Sequence, residues 1–243
     1  MRRTGGLAGP GPVGILDSML VDLHSHTLPA SRCSDITHQE YVEACVAAGI
    51  TVIALTNHGN VTDNLPVEKA LAERGITLIH GVEISTMFGD MLVFSPDVEY
   101  LGRFLPVQPP PRASQIPDHA AVVWAHPAGG GGMSGATYFP GLEQQVVPLV
   151  HAIEVYNGNW PSDHAVATAE RIAADFNMPA TGGSDAHRAS AIMRCATDIE
   201  PAPRSTEDVV AAIREGRVRP WRDPARAGDE RVRFSARRRP WTS

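Results

Sequence analysis

The chain has 243 residues, 43% of them hydrophobic and 20% charged, a formal net charge of −6 and three cysteines. That length and apolar content suit a single α/β domain with a full core. No apolar run reaches the roughly 20 residues of a membrane span, and Cys33, Cys45 and Cys195 show no CxxC spacing. A membrane anchor and a disulfide framework are therefore not expected, and the expected location is cytoplasmic. Residues 222–243 hold seven arginines against three acids. The rest of the chain is correspondingly more acidic, which argues against an extended nucleic-acid surface and for any phosphate being held at one local site.

Residues 1–17 read as a Gly/Pro-broken leader rather than a secretory signal. Short β-type runs then alternate with helical patterns. Strands are expected over 18–24, 51–56, 77–83, 91–94, 121–126, 152–156 and 179–184, mostly as near-continuous apolar runs suited to parallel strands buried on both faces. Helices are expected over "HQEYVEACVAAG", which ends on Gly49, and "DNLPVEKALAERG", which ends on Gly75. Two more, "SDHAVATAERIAADFN" and "STEDVVAAIREG", open on Ser/Asp caps. The Pro-rich stretch 105–117 and the Gly-rich stretch 128–135 are expected loops, and 222–243 an Arg-rich, solvated tail. The repeated β-then-α order points to a barrel or a doubly wound sheet over 18–221.

Side chains able to bind metal fall where these strands end: His24 and His26, His58, Glu83, His126, then Asp185 and His187. In a parallel barrel the strand C-termini open onto one face. Residues i and i+2 of a strand point the same way, so His24 and His26 can share an ion, as can Asp185 and His187. One strand-end histidine is ordinary packing. Five histidines and two acids at five strand ends need charge compensation, which divalent metal supplies. His38, His80, His119, His151 and His164 have no such placement and read as surface or structural residues.

In order, "DLHSHT", "IALTNHG", "GVEIST", "AHPAG", "IEVYNG" and "GGSDAH" resemble the PHP (polymerase and histidinol phosphatase) domain family, over roughly residues 20–220. The resemblance implies a distorted (β/α)7 TIM-like barrel with two or three divalent ions (manganese, iron or zinc) and phosphoester hydrolysis. It implies one ion on His24, His26, Glu83 and Asp185, a second shared by Glu83 with His126, and a third on His58 and His187. Three positions depart from the family pattern. Asn57 stands where the family has aspartate. "SRCSD" leaves Cys33 or Asp35 for the third ion, or leaves that position empty. "MFGDML" leaves Asp90 where many relatives carry a histidine ligand of the second ion.

The implied chemistry is attack of a metal-bridged hydroxide on phosphorus, with Asp185 orienting it and His187 as its catalytic companion. Arg188 is the expected phosphate clamp, Asn157 is expected to line the same mouth, and Trp160 is a candidate to stack on a ring or base, as is Tyr156, for which core packing is the preferred reading. The expected substrate is a small phosphorylated compound, a nucleotide or oligonucleotide end first and histidinol phosphate second. A catalytically degenerate metal-binding module with a partner-binding role is the alternative. Metal-dependent C–N bond hydrolysis is a third reading, weakened because the only lysine, Lys69, falls within an expected helix.

Overall fold

The structure is a computed structural model that describes residues 17–59, 61–112, 115–129 and 139–226. Most of the leader, most of the Gly-rich stretch and all of the tail beyond Arg226 lie outside the described residues. Among the described residues, nine strands and six α-helices follow in the order β1 Met19–Val21, α1 His38–Ala47, β2 Val52–Leu55, α2 Leu65–Ala72, β3 Thr77–Thr86, β4 Gly89–Phe94, α3 Val98–Leu101, β5 Ala121–Trp124, α4 Glu143–Val146, β6 Ala152–Asn157, α5 Asp163–Asp175, β7 Ala180–Gly183, β8 Cys195–Ile199, α6 Thr206–Arg214 and β9 Val218–Arg222. All four expected long helices form. The Thr37 side chain caps α1 in a reciprocal capping box with Glu40, and Ser162 and Ser205 cap α5 and α6. Gly49 and Gly75 follow α1 and α2 at φ +66° and +73°, a conformation that glycine enters without a Cβ penalty.

A curled six-stranded sheet, ordered β2-β3-β4-β5-β6-β7, carries the domain. The β2–β3, β5–β6 and β6–β7 pairs are parallel. The expectation of an all-parallel set meets a difference at β4. A tight turn at 87–88 folds β4 back onto β3, so β4 runs antiparallel to both β3 and β5. A buried antiparallel strand is as continuously apolar as a parallel one, so the run "MLVF" carries no sign of its direction. The expected strand 18–24 is also divided. Met19–Val21 pairs antiparallel with β8 in a separate sheet, β1-β8-β9. Residues 22–26 continue as an extended segment: Asp22 and Ser25 carbonyls accept from Ala54 and Thr56 of the β2 region, and the His24 carbonyl accepts from Asp185. Strands β8 and β9 had no counterpart in the sequence reading. β9 includes Pro220 and pairs on one side only, as an edge strand does.

Two glycines of β7 set how closely its neighbours approach. A Cβ on Gly182 would lie 2.5 Å from the Ala196 carbonyl oxygen of β8, and one on Gly183 would lie 2.4 Å from the His24 Cβ. Gly182 therefore lets the small sheet pack onto the large one, while Gly183 admits the histidine-bearing segment. The wall beneath is apolar: Val21, Leu23, Ala54, Ile79, Leu92, Phe94, Val123 and Ile199 form one buried cluster. Gly182→Ala is expected to lower stability by about 1–3 kcal/mol through overpacking against rigid backbone, read as a reduced midpoint in urea with an unchanged slope.

Candidate metal centre

The strand ends deliver their polar residues to one place. β2 stops at Leu55 and the chain runs on to Asn57 and His58, where His58 bridges to Glu83 of β3. Asp90 arrives from the opposite direction: the hairpin pairs it with Ser85, two residues beyond Glu83. His126 lies just past β5 and Asp185 just past β7, at φ 28° and 49° respectively. Left-handed backbone costs a side-chain-bearing residue of order 1–3 kcal/mol, and such strain gathers at functional sites.

Glu83 is the hub. Its Oε1 lies 3.4 Å from Nε2 of both His24 and His126, and its Oε2 lies 3.2 Å from His26 Nε2 and from His58 Nδ1. Asp185 Oδ1 is 3.5 Å from His24 Nε2, 3.3 Å from His26 Nε2 and 3.4 Å from His187 Nδ1. The Nε2 atoms of His24 and His26 stand only 3.1 Å apart. Four sets of potential ligand atoms each fall within 4.8 Å of one another: His24, His26 and Glu83; Glu83, Asp90 and His126; His26, Asp185 and His187; His24, His126 and Glu154. Asp90 is buried, 3.9 Å from His126 Nε2, and its Oδ1 has no hydrogen-bond partner among the described residues. A buried carboxylate oxygen without a partner fits a cation-binding position. Nitrogen and oxygen donors in these numbers suit borderline and hard divalent ions.

Cys33 Sγ lies 3.2 Å from His187 Nε2, whereas Asp35 meets His187 only through its backbone N–H. Burial of the sulfur and the nearby Glu83 and Asp185 carboxylates push the Cys33 thiol up to about 12. Arg188 is exposed at the rim, next in sequence to His187. Asn157 is buried, and its amide is engaged internally. Its Nδ2 donates to Glu154 Oε2 at 2.9 Å and to Asp185 Oδ2 at 3.4 Å, and its Oδ1 accepts from the N–H groups of Asn159 and Trp160. Tyr156 packs against the core and donates to Glu170. The Trp160 ring lies against Gly129, near His126. Asn57 fixes the loop after the first histidine pair: its Oδ1 accepts from Thr27 N–H and Ser31 Oγ, and its Nδ2 donates to Thr27 Oγ1 and Asn64 Oδ1. His80 and His151 sit elsewhere, against Glu68 and Arg214.

Two residues central to this geometry were not singled out from sequence. Asp22 accepts from the N–H groups of His24, Ser184 and Met193, pinning the extended segment to the chain after β7. Burial raises its carboxyl to about 6. Glu154 lies 3.0 Å from His24 Nδ1. Both stood inside the quoted motifs, as the first residue of "DLHSHT" and the second of "IEVYNG". The only available signal was a charged residue within an otherwise buried run.

The buried carboxylates and imidazoles shift one another's titration. Burial disfavours charge on His24, but Asp185, Glu154 and Glu83 outweigh it and hold the imidazole well above its ordinary pKa. His126 is likewise raised to about 9 against burial, by Glu83, Asp185 and Glu154, and His26 is raised by Asp185 and Glu83. The imidazolium charges in turn hold Glu83 and Asp185 well below the carboxylate range despite their burial. His58 is lowered to about 4 by burial, with His26 and His24 adding repulsion.

Residues 22–129 match the family described as PHP domain, and residues 163–218 the family described as PHP-associated. A PHP domain is thus found over residues 22–129, with a PHP-associated segment over residues 163–218. No curated protein matches it in sequence. Among solved structures it is similar to PsfC from Pseudomonas syringae, with 16% identity, 87% of this chain and 94% of that one covered and a TM-score of 0.63. It is also similar to an amidohydrolase from Chromobacterium violaceum, with 16% identity, 84% and 99% covered and a TM-score of 0.54. A third is a protein from Bifidobacterium adolescentis provisionally described as a metal-dependent phosphoesterase, with 16% identity, 69% and 87% covered and a TM-score of 0.50. At that identity these likenesses establish a shared fold alone. No helix among the described residues is long and apolar enough to cross a membrane.

The raised histidines set a pH dependence for chelator-treated protein. A histidine whose folded pKa exceeds the unfolded 6.5 adds stability below 6.5, and that contribution is lost as pH rises through the folded value. Thermal unfolding in chelator is expected to show a falling midpoint from pH 6.5 to about 9, the His126 value. A divalent ion, which replaces those protons, is expected to flatten the fall.

Proposed function

We propose that this protein is a metal-dependent phosphatase or phosphoesterase acting on a small phosphorylated molecule, with residues 18–221 as its catalytic unit. The observation that carries this reading is the sharing of ligands between the clusters. Glu83 and His24 each belong to two sets, as do His26 and His126, so neighbouring ions would sit side by side. His24, His26, Glu83 and Asp185 would hold one ion, and Glu83, Asp90 and His126 a second. His58, His187 and Cys33 would supply a third, and manganese, iron or zinc fits the donors. Segment 22–26, hydrogen-bonded to the β2 region on one side and to the chain after β7 on the other, serves in this reading as the seventh stave of a distorted (β/α)7 barrel.

Divalent ions bound there would lower the pKa of a coordinated water toward neutrality and offset charge building on phosphoryl oxygens. The chain's own residues supply orientation. Asp185 is held by the Asn157 and Asn159 amides, each donating to its Oδ2 at 3.4 Å, and it directs the attacking water. His187, partly exposed where His24 and His26 are fully buried, stands on the solvent side, where a leaving oxygen would emerge. Arg188 beside it offers a planar fork to the phosphate. Asn157, with its amide already engaged, acts by holding Asp185 and Glu154 rather than by touching substrate.

Among phosphate esters, a nucleotide or oligonucleotide end is the first choice, and the apolar groups beside the site support a ring-bearing substrate. Leu105 and Val107 are exposed, and their segment packs on Gly59, next to His58. The three cysteines are free, in keeping with work in the cytoplasm. The amidohydrolase named above keeps C–N hydrolysis as the second reading.

The test is release of inorganic phosphate with added Mn²⁺ from an aryl phosphate, nucleoside bisphosphates and histidinol phosphate. His26→Ala and Asp185→Asn are each expected to lose more than about 100-fold in kcat/KM, beyond the loss typical of removing a group that only supports a ligand. Arg188→Ala is expected to raise KM about tenfold with kcat largely kept, as loss of uniform phosphate binding does. Wild-type turnover of an amide or lactam, and of none of the esters, would transfer the assignment to the second reading.

A further inference from the structure

We infer that Glu154 is a positioning residue that selects the ring nitrogen His24 presents to the centre. The inference rests on the metal reading above and adds a residue to it. Glu154 Oε1 lies 3.0 Å from His24 Nδ1, while His24 Nε2 points to the opposite side, toward His26, Glu83 and Asp185. A neutral imidazole carries one N–H and one lone pair. With its Nδ1–H given to Glu154, His24 keeps the Nε2 lone pair for an ion, and the ring is also held against rotation.

Direct ligation by Glu154 is the rival role, since its carboxylate lies within 4.8 Å of donor atoms of His24 and His126. Its hydrogen bonds argue against that. Oε2 already accepts the His126 backbone N–H at 3.0 Å and Asn157 Nδ2 at 2.9 Å, and Oε1 takes His24. Three donors on one buried carboxylate leave it built into the scaffold. The same bonds tie together three separate stretches of chain: the first histidine segment, the turn after β5 that carries His126, and the end of β6.

A second observation supports the arrangement. A Cβ on Gly183 would fall 2.7 Å from Glu154 Oε1 and 2.4 Å from the His24 Cβ. Only glycine leaves room there for carboxylate and imidazole to meet. The acid also cannot be exchanged for its amide without loss. Both oxygens of Glu154 accept N–H groups, so a glutamine must turn its own NH₂ toward one of those donors.

The experiment uses full-length protein stripped of metal and titrated with Zn²⁺ alone, with calorimetry for affinity and ¹⁵N-histidine spectra for the state of each ring nitrogen. Wild type loaded with Zn²⁺ is expected to show His24 protonated at Nδ1 and metal-bound at Nε2. Glu154→Gln is expected to bind Zn²⁺ about 10–100-fold more weakly and to lose the single His24 signature. A wild-type spectrum with His24 protonated at Nε2 would overturn the inference, and this result does not depend on whether the variant folds. A folded Glu154→Gln protein with wild-type affinity and an unchanged His24 signature would overturn it as well. Wild type that takes up no Zn²⁺ would instead strike at the metal reading of the site, and this role would fall with it.

Discussion

Four imidazoles converge on the carboxylate of Glu83, each with a ring nitrogen within 3.4 Å, and the charge crowded there is what the rest of the structure has to accommodate. Glu83, Asp185 and Asp90 are almost completely buried together with His24 and His26. Such a group is tolerable only where opposite charge accompanies the carboxylates. Protons on His24, His26 and His126 can provide it, and so can divalent cations, which place more charge in less space. The lowered carboxyls of Glu83 and Asp185 and the raised imidazoles of His24 and His126 are two faces of this one constraint.

The surrounding fold holds this group in place. Asp22 pins the histidine segment, Asn57 fixes the loop that follows it, and Glu154 ties His24 to the turn carrying His126. His126 and Asp185 are held in left-handed backbone, which sends each side chain inward at a strand end where ordinary extended geometry would carry it past. Gly183 removes the Cβ that would otherwise separate β7 from His24. Polar residues around the centre thus work mainly on one another, and Asn157, whose amide meets Glu154 and Asp185, is the plainest case.

Much of this was readable from the chain. The four long helices announced themselves by caps and periodicity, and the six strands of the main sheet by apolar runs between turn signals. The donors at the strand ends could be named because histidines and acids interrupt apolar strands only for a reason. Other features were hidden for physical reasons. A reversed β4 has the same buried pattern as a parallel strand. β8 is a mostly buried run in which Thr197 and Asp198 break the apolar pattern, and β9 is partly exposed and holds Pro220, so neither period nor hydropathy marks them. Glu154 sits among apolar neighbours, with nothing local to show that its partner lies 130 residues away.

The sequence by itself determined the class of fold, the kinds of donor and the order in which they occur, because these follow from local pattern and side-chain chemistry. Tertiary structure alone decided that Asp90 enters from a reversed strand and that Cys33 rather than Asp35 meets His187 through its side chain. It also decided that His24 turns Nδ1 to Glu154 and Nε2 to His26, Glu83 and Asp185. Those outcomes depend on distances between segments far apart along the chain, and such distances exist only once the sheet has curled and its strand ends have met.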